Sequence, residues 1–550
     1  MNELNLQLLN SDELNESEFE SVLNGKKARG IYNPIQSVIR LHDDVHKALA
    51  KDDMSSDRIL AFSTYMHETI HWWQHVGSHL GFITSISHPA LAHLAHRDLN
   101  TLVKRNEKYK SIIEYDQQIF FQTGNNSNQE VNKILNYYHD IGYAKAFIAD
   151  NGNINKIQND KRFFLNVGHC FHMLWSTSVY VLSVSIDPDF HFLPKIKDWS
   201  EKFRQAEKEK APGFVTDSGM TISELGTTAI YEGQARFNQL QYLSIATGDK
   251  YSYNDFAAMG MLESIYIEAF NLFLKYTGID RPDNLNNSII GLFLLICDIA
   301  INPVEGFPSD IMDYESFIIC SDPGIRFTLL CSFISKDKDK WINAVQDYSR
   351  QEYIDLSEQL CEYIVCLPPW VGSAIVANWA EEHSSIQDLL QEESKMKFKP
   401  ENLSIRLFTA KYIRFQEDKI KYPNVFCWIG KSMTGEVHKD LDLPLVEKLF
   451  NRHQALFIDV IGGEIRPTIF DDYHEENTME TFQTFYTFNT TYDMTFKWIT
   501  EKGPFKYNYR WLTSKYSDEE MKDWVRNNFK ATYSIFPEEL KTFDGKSDNL

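Results

Sequence analysis

The segment YMHETIHWWQHVGSH (65–79) places four histidines in fifteen positions, with a glutamate directly after the first. His67 and His71 are four apart, so on a helix both rings leave one face, one turn above the other. Two imidazoles so placed can hold one cation from one side and leave its far side open. Glu68 lies about 100° round the same helix, near enough to reach a water on that cation without being a ligand. The resulting H-E-x-x-H pattern, His67-Glu68-Thr69-Ile70-His71, suits metal-assisted hydrolysis with Glu68 carrying the proton. The plainer alternative is a His-rich helix with satisfied imidazoles, because nine of the 17 histidines fall between His42 and His96. His42/His46 and His75/His79 are also four apart, but neither has a glutamate after its first member. These pairs read as structural or as supports to metal ligands.

A catalytic zinc takes three protein ligands and keeps one exchangeable position. The extended spacing H-E-x-x-H-x-x-G-x-x-H would need Gly at 74 and His at 77, where Gln74 and Gly77 stand. Another segment must therefore supply the third ligand. TTAIYEGQARFNQLQ (227–241) is the leading candidate, within a helix expected from about Ile222 to Ala246 and stopped at Gly248. Beside Glu232, the small residues Gly233 and Ala235 admit close approach of another helix or a ligand. The competing reading of Glu232 is a surface carboxylate paired with Arg236, one turn on. Glu224, His169 and His172 are rivals for the third position.

HETIH followed by YEGQA resembles the gluzincin branch of the zincin metallopeptidases, in which a glutamate on a later helix completes a His-His-Glu site. The resemblance implies His67, His71 and Glu232 as ligands of one zinc ion per chain, Glu68 as the catalytic base, and peptide-bond hydrolysis. A further donor to the oxyanion is then expected, with His75, Tyr231, Arg236 and His169 as candidates. Trp72 and Trp73 read as core packing rather than as a cleft wall. Glu68 to His71 is also E-x-x-H, and paired copies of that motif bind two irons in helical bundles. No other glutamate of this chain has a histidine three residues on, which disfavours a non-haem iron protein. A catalytically inactive helical interaction protein is the remaining alternative.

The elements that must position these residues are mostly helical. Ser55, Ser56 and Asp57 offer N-caps, an apolar stripe runs through Ile59, Leu60, Phe62, Met66, Ile70 and Trp73, and Gly81 offers a stop. A helix over about 57–80 follows. Helical periodicity dominates to about residue 395, broken by turn-rich stretches such as 124–129 and 278–288. Beyond 400 the texture changes. Gly462-Gly463 sits between apolar β-branched runs in ALFIDVIGGEIRPTIF (455–470), a hairpin signal, and TFQTFYTFNTTYDMTF (481–496) is rich enough in Thr, Phe and Tyr to be extended. The expected architecture is mainly α, a multi-lobed helical zincin-like body over 1–395 followed by a smaller α+β portion over 396–550. The closing DGKSDNL reads as a frayed tail.

The totals bound the partners. At 550 residues the chain exceeds what one hydrophobic core ordinarily holds, and 43% apolar residues suffice for a folded interior. A formal charge of -22 opposes binding to nucleic acid or an anionic membrane. Val167 to Ile186 and Tyr363 to Ala380 are long uncharged stretches, but serines, histidines and prolines mark them as buried helices rather than membrane spans. Seven cysteines without a CxxC spacing point to a reducing, cytoplasmic setting, and the acidic start MNELNLQLLNSDELNESEFE lacks the apolar core of a secretory signal. The expected partners are a protein or peptide substrate, with room for a regulatory protein.

Overall fold

The structure, a computed structural model, describes residues 29–543 except 54, 127, 216, 217, 437, 471 and 472; the acidic start and the DGKSDNL tail lie outside the described residues. The elements that bear on the site are β1 (Gly30–Asn33), β2 (Val38–Leu41), α1 (Ser56–Trp72), α2 (His79–Lys104), α3 (Gln129–Ala149) and α4 (Val167–Ile186). They continue with α5 (Thr227–Ala246), α6 (Ile265–Thr277), α7 (Ser288–Ile301), α8 (Ser384–Ser394), α9 (Leu403–Lys419), β3 (Phe457–Asp459), β4 (Ile465–Pro467) and α10 (Glu475–Thr500). The fold is mainly α, with a small sheet of order β1-β2-β3-β4.

α1 begins where expected. Ser55 leaves the helix with extended backbone, and its hydroxyl accepts from the Arg58 amide. The far end differs from the single 57–80 helix. After Trp72 the backbone makes one π-helical turn, Trp73–Gly77, and Ser78 then caps a separate α2. Two observations account for the break. The Gly77 carbonyl is taken by Gln416 Nε2 at 2.8 Å and Lys419 Nζ at 2.9 Å, both on α9, and the Ser78 hydroxyl receives the Gly81 amide at 2.9 Å. Gly81 is therefore no stop. It lies in the first turn of α2, where a Cβ would stand 1.8 Å from the Gln74 carbonyl oxygen.

α5 starts at Thr227, five residues later than the expected Ile222, because its first turn is tied to the end of α3. Thr227 Oγ1 donates to the Ile148 carbonyl at 3.2 Å and Thr228 Oγ1 to the Ala149 carbonyl at 2.9 Å. A Cβ on Gly226 would meet the same Ile148 oxygen at 2.5 Å. The helix then packs between α1 and α6.

The core runs from Tyr32 to Leu540 as one continuous set of packed apolar side chains. At its centre α7, SIIGLFLLICDIAI, buries every residue from Ile289 to Ile301, which a helix apolar on all sides must do. No described helix is long and apolar enough to cross a membrane. α4, the stretch Val167–Ile186, is largely buried among protein neighbours, and all seven cysteines are free.

The hairpin at Gly462-Gly463 forms, with both glycines at positive φ between β3 and β4. The 481–496 segment corrects the reading of an extended run, for it is the middle of α10. Its threonines bond back to their own helix, Thr490 Oγ1 to the Tyr486 carbonyl at 2.9 Å and Thr495 Oγ1 to the Thr491 carbonyl at 2.8 Å. Burial of Phe485, Tyr486, Tyr492 and Trp498 outweighs their preference for strands. The line near residue 395 does not divide the sheet. β3, from the C-terminal portion, pairs in parallel with β2, matching Val38 with Phe457 and Ile39 with Ile458.

Candidate metal site

His67 and His71 project from one face of α1 into a cavity of about 300 Å³. Their rings lie 4.7 Å apart, nearly perpendicular, with the two Nε2 atoms 3.1 Å from each other. Glu232 reaches in from α5 and sets Oε2 3.4 Å from each of those nitrogens. Among the described residues this is the group of three donors close enough to share an ion. Bonds of ~2.0–2.1 Å at a tetrahedral angle put donor atoms roughly 3.3–3.4 Å apart. The triangle of 3.1, 3.4 and 3.4 Å thus matches one face of a zinc tetrahedron, and two imidazoles with one carboxylate are a donor set zinc accepts.

The ring of His71 is fixed in orientation: its Nδ1 donates to Gln74 Oε1 at 2.8 Å, which turns Nε2 toward the triangle. Gln74 is itself fixed, its amide donating to the Tyr231 carbonyl and to Gln234 Oε1, both at 2.9 Å. These bonds clamp α1 to α5 behind the donor triangle.

Glu68 faces the same cavity from the neighbouring side of α1. The Tyr32 amide donates to its carboxylate, so the unpaired edge of β1 looks toward the site. Gly30 permits this approach, since a Cβ there would lie 2.8 Å from Glu68 Cγ. Burial pushes the Glu68 carboxyl up to about 7, against the pull of His71. Burial draws His67 down to about 3. It acts on His71 too, but Glu232 and Glu68 outweigh it and lift that ring to about 9. Despite its own burial, Glu232 is held well below the usual carboxylate range by His71 and His67. Two buried carboxylates beside two imidazoles make a place that favours positive charge.

The remaining sequence candidates separate clearly. His75 and Tyr231 line the cavity with their rings 5.3 Å apart. Burial draws His75 down to about 3, which keeps it neutral. Arg236 turns away from Glu232, donating to Gln239 Oε1 at 2.6 Å and lying 4.0 Å over the Tyr266 ring. His169 bonds Asp140 at 3.2 Å outside the cavity, and His172 stacks on Phe203. Glu224 is exposed and pairs with Lys275 and Tyr276. His46 bonds Asp459 at 2.8 Å and His79 bonds Tyr412 at 2.7 Å, both as ties between segments. Trp72 and Trp73 are buried in the core, Trp73 bonding the His453 carbonyl.

Sequence reasoning missed Gln74, Tyr266, Lys145 and residues 30–32 of β1, all of which meet at the cavity or support it. Only Gln74 carried a local signal, being three residues after His71 and so on the same face. Tyr266 lies on α6 with its ring 6.0 Å from that of His67. No family model, no curated protein and no solved structure matches this chain.

Proposed function

We propose that the protein is a zinc-dependent metallopeptidase that hydrolyses peptide bonds of a protein or peptide substrate. The observation that carries this reading is the convergence of Glu232 Oε2 on the two Nε2 atoms of the H-E-x-x-H helix, from a segment about 160 residues away. When bound there, a zinc ion supplies Lewis acidity to a substrate carbonyl and to a water molecule. Glu68, poised near neutrality, takes a proton from the attacking water and passes it to the leaving amine. β1 is an edge strand whose residues 30–32 line the cavity, so an extended substrate can lie alongside it beside Glu68. Of the three tyrosines lining the cavity, Tyr231 bonds Ser78 and Tyr32 bonds Ser37, which leaves Tyr266, with the Arg236 guanidinium on its ring, as the better donor to the oxyanion.

The test joins metal analysis to peptide cleavage. The purified protein is expected to carry one zinc per chain and to lose hydrolysis of a peptide library on chelation. Glu68→Gln should keep the metal and lose roughly 10²–10⁴-fold in turnover. His67→Ala should lose both. Full turnover by metal-loaded Glu68→Gln would sink the proposal. A protein that binds zinc and cleaves nothing in the library would point to the inactive interaction protein instead.

A further inference from the structure

Lys145 stands out among the residues of the cavity. It is the cationic side chain among the described lining residues, apart from the imidazoles, and it is partly buried on α3. The chain has 77 acidic residues, yet Lys145 makes no ion pair or hydrogen bond with any described residue. Burial draws its ammonium down to about 8, so it is still mostly charged at neutral pH. A partly buried ammonium that lines a cavity and has no described partner is placed to take an anion that enters the cavity.

Its place in the fold says where that anion would come from. Lys145, Ile148 and Ala149 share one face of α3 and all line the cavity. The carbonyls of the latter two hold the first turn of α5, whose second turn carries Glu232. His75 lines the same cavity, near enough to both His71 and Lys145 to feel their charges. The two carboxylates in the cavity are already engaged, Glu232 with His67 and His71 and Glu68 with the Tyr32 amide. A peptide in this cavity would bring its own carboxylate within the same enclosure.

We propose that Lys145 is a specificity-determining residue that receives a carboxylate of the substrate, either an Asp or Glu side chain or a C-terminal carboxylate. This rests on the peptidase reading and narrows its substrate class. Lys145 is neither one of the three donors nor the proton carrier, so it sets which peptides bind rather than how the bond breaks.

The test reads binding apart from catalysis. Zinc-loaded Glu68→Gln protein is titrated with three synthetic peptide pools of one random design. One is blocked at both ends and carries a fixed Glu, a second has Gln in its place, and a third has Gln with a free C-terminal carboxylate. At least tenfold tighter binding of the first or the third pool over the second is expected, and which of them gains names the source of the carboxylate. Adding Lys145→Met should abolish the difference, Lys145→Arg should keep most of it, and Lys145→Glu should shift preference to a matching pool with a fixed Lys. Equal binding of all pools, no binding of any, or a preference that survives Lys145→Met overturns the proposal. Carboxylate-dependent binding without cleavage by the zinc-loaded wild type would leave Lys145 standing and remove the peptidase reading. Cleavage without that preference would do the reverse.

Discussion

In the proposed zinc site, Gln74 stands behind the donors. A histidine ligand must be held in one orientation, and the ring of His71 is so held by a side chain three residues further along α1's extension. The Gln74 amide also spans to Tyr231 and Gln234, so the same residue sets the distance between the helices that carry the donors. Gln74→Ala is expected to weaken zinc binding by roughly 10–100-fold while leaving peptide hydrolysis near normal at saturating zinc. Chelator competition followed by activity titration against free zinc would check this. Loss of turnover that excess zinc does not restore would assign Gln74 another role.

Among the elements, α1 and α5 are positioned by ties that their own sequences do not contain. The π-helical turn after Trp72 shifts the phase of the residues that follow, so His75 borders the cavity without joining the triangle. α9 receives the end of that turn through Gln416 and Lys419, and α9 is anchored in turn to α8. The anchor is Glu393 on α8, buried with Lys411 Nζ at 2.8 Å, Arg414 Nε at 3.1 Å and the Tyr473 hydroxyl. Burial alone would raise the Glu393 carboxyl, but Lys411 and its companions outweigh it and hold the group at about 2. A carboxylate depressed below its ordinary 4.5 contributes stability that is complete above that pH and is lost as pH falls toward about 2. Glu393→Gln should therefore cost about 3–5 kcal/mol at pH 7, since it leaves a buried ammonium unpaired. The gap to wild type in urea denaturation should narrow steadily below pH 4.5. A gap that is constant from pH 7 to pH 3.5 would refute the linkage.

The two ends of the chain build one assembly. β1 and β2 precede the H-E-x-x-H helix, while β3 and β4 arrive more than 400 residues later and complete the same sheet. Asp459 on β3 accepts from the Leu41 amide at 3.0 Å and from His46 at 2.8 Å, fixing the hairpin of β1 and β2 that brings Gly30 against Glu68. A fragment of residues 1–395 is thus expected to lose cooperative unfolding and stoichiometric zinc binding, and co-expression with 396–550 should restore both. A stable fragment that binds one zinc per chain would show that the sheet is dispensable to the site.

What could be read from residue order were the features that repeat within a few turns. The i,i+4 imidazoles with Glu68 between them, the Ser55 cap, the Gly462-Gly463 hairpin and the mainly helical character all follow from local spacing and backbone preference. Glu232 was nameable only as a candidate, because no local pattern states which distant helix a histidine pair will meet. The break at Ser78, the late start of α5 and the helicity of 481–496 were decided by partners on other segments: Gln416 and Lys419, the Ile148 carbonyl, and the core around Phe485. Tyr266, Lys145 and the edge of β1 carried no mark in their own neighbourhoods. Packing brings such residues together through contacts hundreds of positions apart, and a cavity belongs to those contacts rather than to any single stretch of chain.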